Sequence, residues 1–378
     1  MTPDPTRIDS EHEPRGARPV VDVHAHAWPV LADAPENALF LQRHSIWHTQ
    51  APRRLANGRP AERQTLYDGR GGGRSNLLDV GFRFGSFGRA EWTFEGVDYY
   101  LQWMPELMDT MVMPPELTIA LMNNVGVDWG LLSRGHSYGA INDYTATAVA
   151  LYPDRLVGCA QIEEWNAHEP PQQEELRRCV EQLGLRALYF ETEALFMTEF
   201  RNNFDDPEYE PFWLTVAELG IPVFWDIRCR HGFTPEDFAE QVAALGRWAT
   251  RWPDTPAVIT HGFNMAWFRD SETSREVKEL MCRPQMYLEL LFPIMMGRHW
   301  QYPYVEAIEV IRRLREEVGT ERLLWGSDMP AAQRVCTYRE SLDYLGGLSA
   351  LMPPDELDAI RGGNAVRLLG ITARPRAS

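Results

Sequence analysis

Short apolar runs recur along the chain, each closing near a polar residue and separated from the next by an amphipathic stretch. Eight of them read as strands: Val20–His26, Trp129–Ser133, Leu156–Gln161, Ala187–Glu191, Val223–Asp226, Ala257–His261, Met286–Leu291 and Leu323–Ser327. They are short and rich in Val, Ile and Leu, as strands covered on both faces require. Helical spacing lies between most of them, over Ala140–Leu151, Glu174–Leu183, Pro211–Leu219, Pro235–Trp252, Tyr304–Val318 and Tyr338–Leu348. Thr234-Pro-Glu-Asp237 and Thr337-Tyr-Arg-Glu340 have the form of helix starts capped by a threonine hydroxyl. Eight strands alternating with helices is the count of an α/β fold of the (β/α)8 TIM-barrel kind; an open, doubly wound sheet is the rival architecture.

One segment breaks the rhythm. Trp28 to Glu116 lies between the first and second strands and holds a Gly/Arg patch, Asp68-Gly-Arg-Gly-Gly-Gly-Arg74, and an aromatic tract from Phe82 to Met104. An insertion after a barrel strand emerges at the catalytic face, so residues about 28–116 are expected to form a lid or pocket wall. The Gly/Arg patch has no strand–turn–helix frame and reads as a flexible loop, not a dinucleotide fingerprint. Residues 1–19, rich in Pro, charge and Ser/Thr, read as a disordered lead-in, residues 20–370 as the barrel and 371–378 as a tail.

Charge narrows the partners. The chain has 37 Lys and Arg against 54 Asp and Glu, a net charge of −17, which disfavours nucleic acid and anionic lipid. No apolar run is long enough to span a membrane. Five cysteines, widely spaced and without a C-x-x-C pair, fit reduced thiols in a cytoplasm. The only lysine is Lys278, in a polar helical stretch, which argues against a P-loop, a Schiff base or a carboxylated lysine bridging two metals.

Polar residues at strand ends hold the candidate chemistry. In Val21-Asp-Val-His-Ala-His-Ala27, alternation puts Asp22, His24 and His26 on one face, with the two imidazoles roughly 6.5–7 Å apart at Cα. Two imidazoles converging at a barrel mouth suit a divalent metal, where a lone histidine would more often be a core residue. Asp226, His261 and Asp328 close the fifth, sixth and eighth strands, and Tyr189 and Glu191 lie on the fourth. Ionisable groups after apolar strands are costly unless paired, metal-bound or gathered at the mouth. Arg228, two residues past Asp226, could clamp a substrate carboxylate or serve a structural ion pair. Arg134 and His136 follow the second strand, Trp225 could stack on a planar substrate, and Glu163 and Glu164 read as loop-exposed.

Taken in order, Asp22-Val-His-Ala-His26, Gly126-Val-Asp128, Tyr152-Pro-Asp-Arg-Leu-Val-Gly158, Ile221-Pro-Val223, Thr260-His-Gly262, Gly326-Ser-Asp-Met-Pro330 and Gly363-Asn-Ala-Val-Arg-Leu-Leu-Gly370 span residues 20 to 370. This set resembles the amidohydrolase superfamily, in the branch of aminocarboxymuconate-semialdehyde and γ-resorcylate decarboxylases, which also holds lactone hydrolases. The resemblance implies a metal-dependent, non-oxidative decarboxylase of a small aromatic or unsaturated acid, and a dimer or larger homo-oligomer. His24 and His26 become metal ligands, Asp328 a ligand or proton carrier, and His261 the histidine that moves a proton or activates water.

The chain departs from that pattern at Asp226, where the family usually has a histidine. As an oxygen ligand, Asp226 would complete a harder His2Asp2 set that favours Mn or Fe alongside Zn. His231 could substitute, or the site could work without metal. Hydrolysis of a lactone or related ester is the alternative reaction, and a non-catalytic barrel, supported by Asp226 alone, is the third reading.

Overall fold

The computed structural model describes residues 19–31, 35–47, 53–228, 230, 234–261, 275–297 and 299–372. Among the described residues, twelve strands fall in two sheets. Eight are parallel, in the order β1 (Val21–Ala25), β6 (Trp129–Leu132), β7 (Leu156–Ala160), β8 (Ala187–Glu191), β9 (Val223–Asp226), β10 (Ala257–Ile259), β11 (Met286–Leu290) and β12 (Leu323–Trp325). All eight expected strands are present in sequence order, and the sheet curls until β12 meets β1. There the Asp328 N–H donates to the His24 carbonyl at 2.9 Å, and Ala25 bridges Met329 in parallel. The fold is a (β/α)8 barrel, and the open-sheet alternative is excluded by that closure.

Strand alternation builds two layers. Val21, Leu131, Val157, Ala187, Phe224, Val258 and Leu324 point into the barrel, where they pack with Leu369 and Ile371 near the C-terminus. Their neighbours, including Ala25, Leu132, Leu188, Trp225 and Leu323, face the helices in a larger outer core. Those helices include α2 (Pro115–Val125), α3 (Asn142–Leu151), α4 (Pro170–Arg177), α5 (Glu210–Leu219) and α6 (Pro235–Arg251). The Thr234 hydroxyl accepts from the Asp237 N–H, and Thr337 and Glu340 form a reciprocal capping box. The pattern expected over Tyr338–Leu348 is an α-helix only to Asp343 and then tightens to 3₁₀ geometry. Among the described residues no helix is long and apolar enough to cross a membrane.

The insertion folds on itself. After α1 (Pro35–Ser45), strands β2 (Arg53–Leu55), β3 (Arg83–Phe84), β4 (Arg89–Phe94) and β5 (Val97–Gln102) make an antiparallel sheet in the order β2-β5-β4-β3. Its own apolar core contains Leu66, Trp92, Leu101, Trp103 and Met104 and continues into Trp28 and Tyr138 of the barrel mouth. The Gly/Arg patch, read above as a flexible loop, is docked. A Cβ at Gly73 would fall 1.5 Å from Glu199 Oε2, and Glu199 Oε1 accepts from the Ser75 N–H at 2.9 Å. Residues 1–18 of the expected lead-in, residues 373–378 of the expected tail and His231 lie outside the described residues.

Candidate active site

The first strand does not keep strict alternation. Its register against β6 shifts between Asp22 and Ala25, so one extra residue is accommodated beside the mouth. Val21 and Val23 still share the barrel interior, which turns Asp22 outward, and the shift beyond it lets His24 reach the mouth. Asp22 is not beside the histidines: its carboxylate accepts from the Tyr338 hydroxyl at 2.6 Å, from the Ser327 and His24 N–H groups at 3.0 Å each, and from the Ser327 hydroxyl. It braces the loop after β12.

His24 Nδ1 lies 3.0 Å from both carboxylate oxygens of Glu289 on β11, which leaves Nε2 4.0 Å from Asp328 Oδ1. Gly326 makes room for this pair, since a Cβ there would come within 2.4 Å of Glu289 Oε1. His26 Nε2 contacts Asp328 Oδ1 at 3.0 Å, and its buried Nδ1 has no hydrogen-bond partner among the described residues. The His261 N–H donates to Glu289 Oε2 at 3.3 Å. His261 and Asp328 both hold left-handed backbone conformations, at φ 53° and 58°, which are uncommon for non-glycine residues. Ligand atoms of His24, His261 and Asp328 all lie within 4.8 Å of one another, the one such group of three among the described residues.

Asp226 stands apart from that group. Its Oδ1 accepts from Arg228 Nε at 2.7 Å, and its Oδ2 is 3.4 Å from Arg228 Nη2 and 3.2 Å from the Tyr189 hydroxyl. His261 Nδ1 is a further contact at 3.4 Å. The place expected to supply a fourth ligand instead holds a carboxylate engaged by a guanidinium. Burial works to raise this carboxyl, but the charge of Arg228 and then His261 hold it well below the usual range. Asp328 behaves alike: burial opposes ionisation, and the His26 hydrogen bond with the nearby imidazoles overrides it. Burial lowers His24 and His26 against the pull of Asp328, so both rings lean towards the neutral, metal-binding form. Burial pushes Glu289 well above the carboxylate range.

These groups open into a cavity of about 440 Å3. One wall is aromatic: Tyr138 stacks on Trp28 at 4.6 Å and 18° and lies against Trp103 at 5.5 Å and 27°. Trp103, Met104, His44 and Trp47 reach the cavity from the insertion, while Arg228, Glu191 and Arg334 add polar wall.

Three expected substrate contacts are placed otherwise. Trp225 is fully buried in the outer core against Phe204, Trp213 and Trp248. With Asp226 facing inward, alternation turns the preceding residue outward. Arg134 lines the cavity but gives its Nη1 to Thr145 Oγ1 at 2.9 Å and its Nη2 to the Gly139 carbonyl at 3.3 Å. His136 does not reach the cavity; its ring stacks on Phe40 and its Nε2 makes a short contact with Glu164 Oε2. Glu164, expected at the surface, is fully buried by that contact.

Glu289 was missed. The available signal was a single carboxylate in the apolar run Met286-Tyr-Leu-Glu-Leu-Leu291, where burial without a partner would be prohibitive.

A parallel barrel with histidines and an aspartate converging at the carboxyl ends of its strands has candidate chemistry where enzymes of this architecture carry their active sites. Residues 21–371 match the amidohydrolase family, and the chain belongs to it. Solved structures agree in fold at low identity. A probable 2-pyrone-4,6-dicarboxylic acid hydrolase of Acinetobacter baumannii with citric acid bound is 14% identical, with a TM-score of 0.58 over 93% of this chain and 99% of that one. A dihydroxybenzoic acid decarboxylase of Polaromonas with manganese and 2-nitroresorcinol is 18% identical, with a TM-score of 0.51 over 68% and 86%. The 2,6-dihydroxybenzoate decarboxylase of Rhizobium is 19% identical, with a TM-score of 0.50 over 67% and 87%.

Proposed function

We propose that the protein is a metal-dependent, non-oxidative decarboxylase of a small aromatic carboxylic acid. The observation that supports this most is the gathering of His24, His261 and Asp328 beside an aromatic-walled cavity. Two imidazoles and one carboxylate, with the unpartnered Nδ1 of buried His26 nearby, suit one divalent ion, zinc first and manganese or iron next. Bound there, the ion supplies positive charge against the substrate carboxylate and a neighbouring oxygen. Two solved relatives of the same fold are decarboxylases of dihydroxybenzoates, one of them holding manganese, which favours this class.

The chain's own residues do the rest. The Trp103–Tyr138 wall holds the ring flat, and Arg228, anchored through Nε and Nη2 on Asp226, keeps Nη1 for a substrate oxygen. As the bond to the carboxylate breaks, CO2 leaves and the ring carbon keeps the electron pair. Asp328, ionised at rest, must first take up a proton from solvent or a substrate hydroxyl before it and His261 can deliver the one that replaces CO2.

One observation favours a second reading, metal-free hydrolysis of a lactone. Asp226 is engaged by Arg228, and an ionised Asp328 could take a proton from water attacking the carbonyl. Elemental analysis of untagged protein, paired with CO2 release from 2,6-dihydroxybenzoate, separates the two. About one equivalent of metal, lost in His24→Ala and Asp328→Ala together with CO2 release, is the expected result. Protein that takes up no metal yet opens a lactone sinks the decarboxylase.

A further inference from the structure

Acidic side chains crowd the mouth of the barrel, and nearly all have a basic partner. Glu164 contacts His136, Glu193 binds Arg43 at 2.9 Å and His44 at 3.2 Å, Asp226 binds Arg228, Asp328 contacts His26, and Glu289 contacts His24. Glu191 is the exception. It ends β8 on the inward parity, lines the cavity and is 8% exposed, yet no cationic side chain pairs with it among the described residues. Among the described residues its carboxylate accepts only the backbone N–H of His136, at 3.1 Å on Oε2. A buried anion with one neutral donor and three acids around it is poorly compensated, whereas a neutral acid there accepts that N–H on one oxygen and keeps one O–H to donate into the cavity.

We propose that Glu191 is a further residue of the substrate site: an uncharged carboxylic acid whose O–H is donated to an oxygen of a bound anionic ligand, so that the cavity takes up an organic carboxylate together with one retained proton. This rests on the cavity being the substrate site, as proposed above, and on nothing about the reaction that follows. The geometry holds the carboxyl in place from both sides. Its own N–H donates to Glu164 Oε1 at 3.0 Å, and Glu164 is tied through His136 to the loop that supplies the N–H on Oε2. Facing it are His136 and Tyr138 after β6, Glu164 after β7, Tyr189 on β8 and Glu193 beyond it, and Asp226 at the end of β9, while Arg134 acts on His136 and Arg228, two residues past β9, on Asp226 and Glu193. Burial first, then Asp226, Glu164 and Glu193 against the pull of His136, push the Glu191 carboxyl up to about 7. The neutral acid is thus well populated near neutrality, and a ligand that needs it is expelled as pH rises.

The test uses the full chain, with 2,6-dihydroxybenzoate as the probe in titration calorimetry from pH 6 to 9, run in two buffers of different ionisation enthalpy. Wild type is expected to lose affinity about tenfold per pH unit above 7 and to take up close to one proton on binding at pH 8. Glu191→Gln, which keeps the N–H donor and the shape, should bind without that limb and without proton uptake, and Glu191→Ala should bind weakly at every pH. An infrared pH difference spectrum of ligand-free wild type against Glu191→Gln should show a carboxylic C=O band that disappears as pH rises through 7. The same pH limb in Glu191→Gln, or no C=O band difference, overturns the assignment. Because these readouts are binding and protonation, a failure to release CO2 would remove the proposed reaction and leave this result standing.

Discussion

Glu289 and His24 form a fully buried pair in which one imidazole nitrogen sits 3.0 Å from both oxygens of one carboxyl group. The bond assigns Nδ1 to Glu289 and so commits Nε2 to the space shared with Asp328 and His261. The residue that orients a ligand is here as consequential as the ligand itself. Replacing Glu289 with Met should leave the ring free to turn and cost about 10–100-fold in metal affinity, read by competition with a chromogenic chelator. Glu289→Gln retains an acceptor and should lose far less. Equal losses in the two variants would show that charge, not orientation, is what Glu289 provides.

Arg228 and Asp226 make the corresponding prediction for the opposite wall. Both are largely buried, so removing one strands the other. Arg228→Met should destabilise the fold by about 3 kcal/mol in urea unfolding, and the double variant Arg228→Met/Asp226→Leu should recover most of that. Since Asp226 lies outside the three-residue group, Asp226→Ala should keep its metal where Asp328→Ala does not. Loss of metal in Asp226→Ala would return Asp226 to the ligand set.

Much of this was legible beforehand, and the reasons for the remainder are specific. The eight barrel strands follow from local composition, because each is covered on both faces and needs little context. A place at the mouth for His261 and Asp328 follows from the cost of ionisable groups after apolar strands, and one for His24 from its spacing to His26 along the strand. Asp22 was misplaced because a register shift breaks a period of two, and no single-residue signal marks it. The turn of His136 onto Glu164 and of Asp226 onto Arg228 depends on which loops meet in space, and a linear pattern does not encode that. Trp225 is different: its outward direction was available from Asp226 by alternation alone.

The insertion's core and the cavity wall are one packed cluster, which makes a third prediction. Trp92 is fully buried, donates its indole N–H to Thr65 Oγ1 at 2.8 Å and shares that cluster with Trp103 and Tyr138. Trp92→Ala should cost about 3–5 kcal/mol and loosen the wall. Hydrogen exchange should rise across β4 and β5 while β7 to β10 stay protected, and the dissociation constant for 2,6-dihydroxybenzoate should rise with it. Uniform loss of protection would mean that insertion and barrel unfold together.

Glu191 also predicts a stability profile that needs no ligand. A carboxyl raised from 4.5 to about 7 on folding binds its proton more tightly in the native than in the unfolded chain. The stability it lends is therefore fully present below pH 4.5, drains away as pH climbs to about 7 and is gone above it. The span corresponds to roughly 3 kcal/mol at most, since each pKa unit is worth about 1.4 kcal/mol. Glutamine does not titrate, so the stability of Glu191→Gln relative to wild type should grow across that window and flatten beyond it. Urea midpoints for the two proteins at pH 5, 6, 7 and 8 test this directly. A difference independent of pH would mean that Glu191 is ionised in the folded protein, and that a positive group beyond those described compensates it.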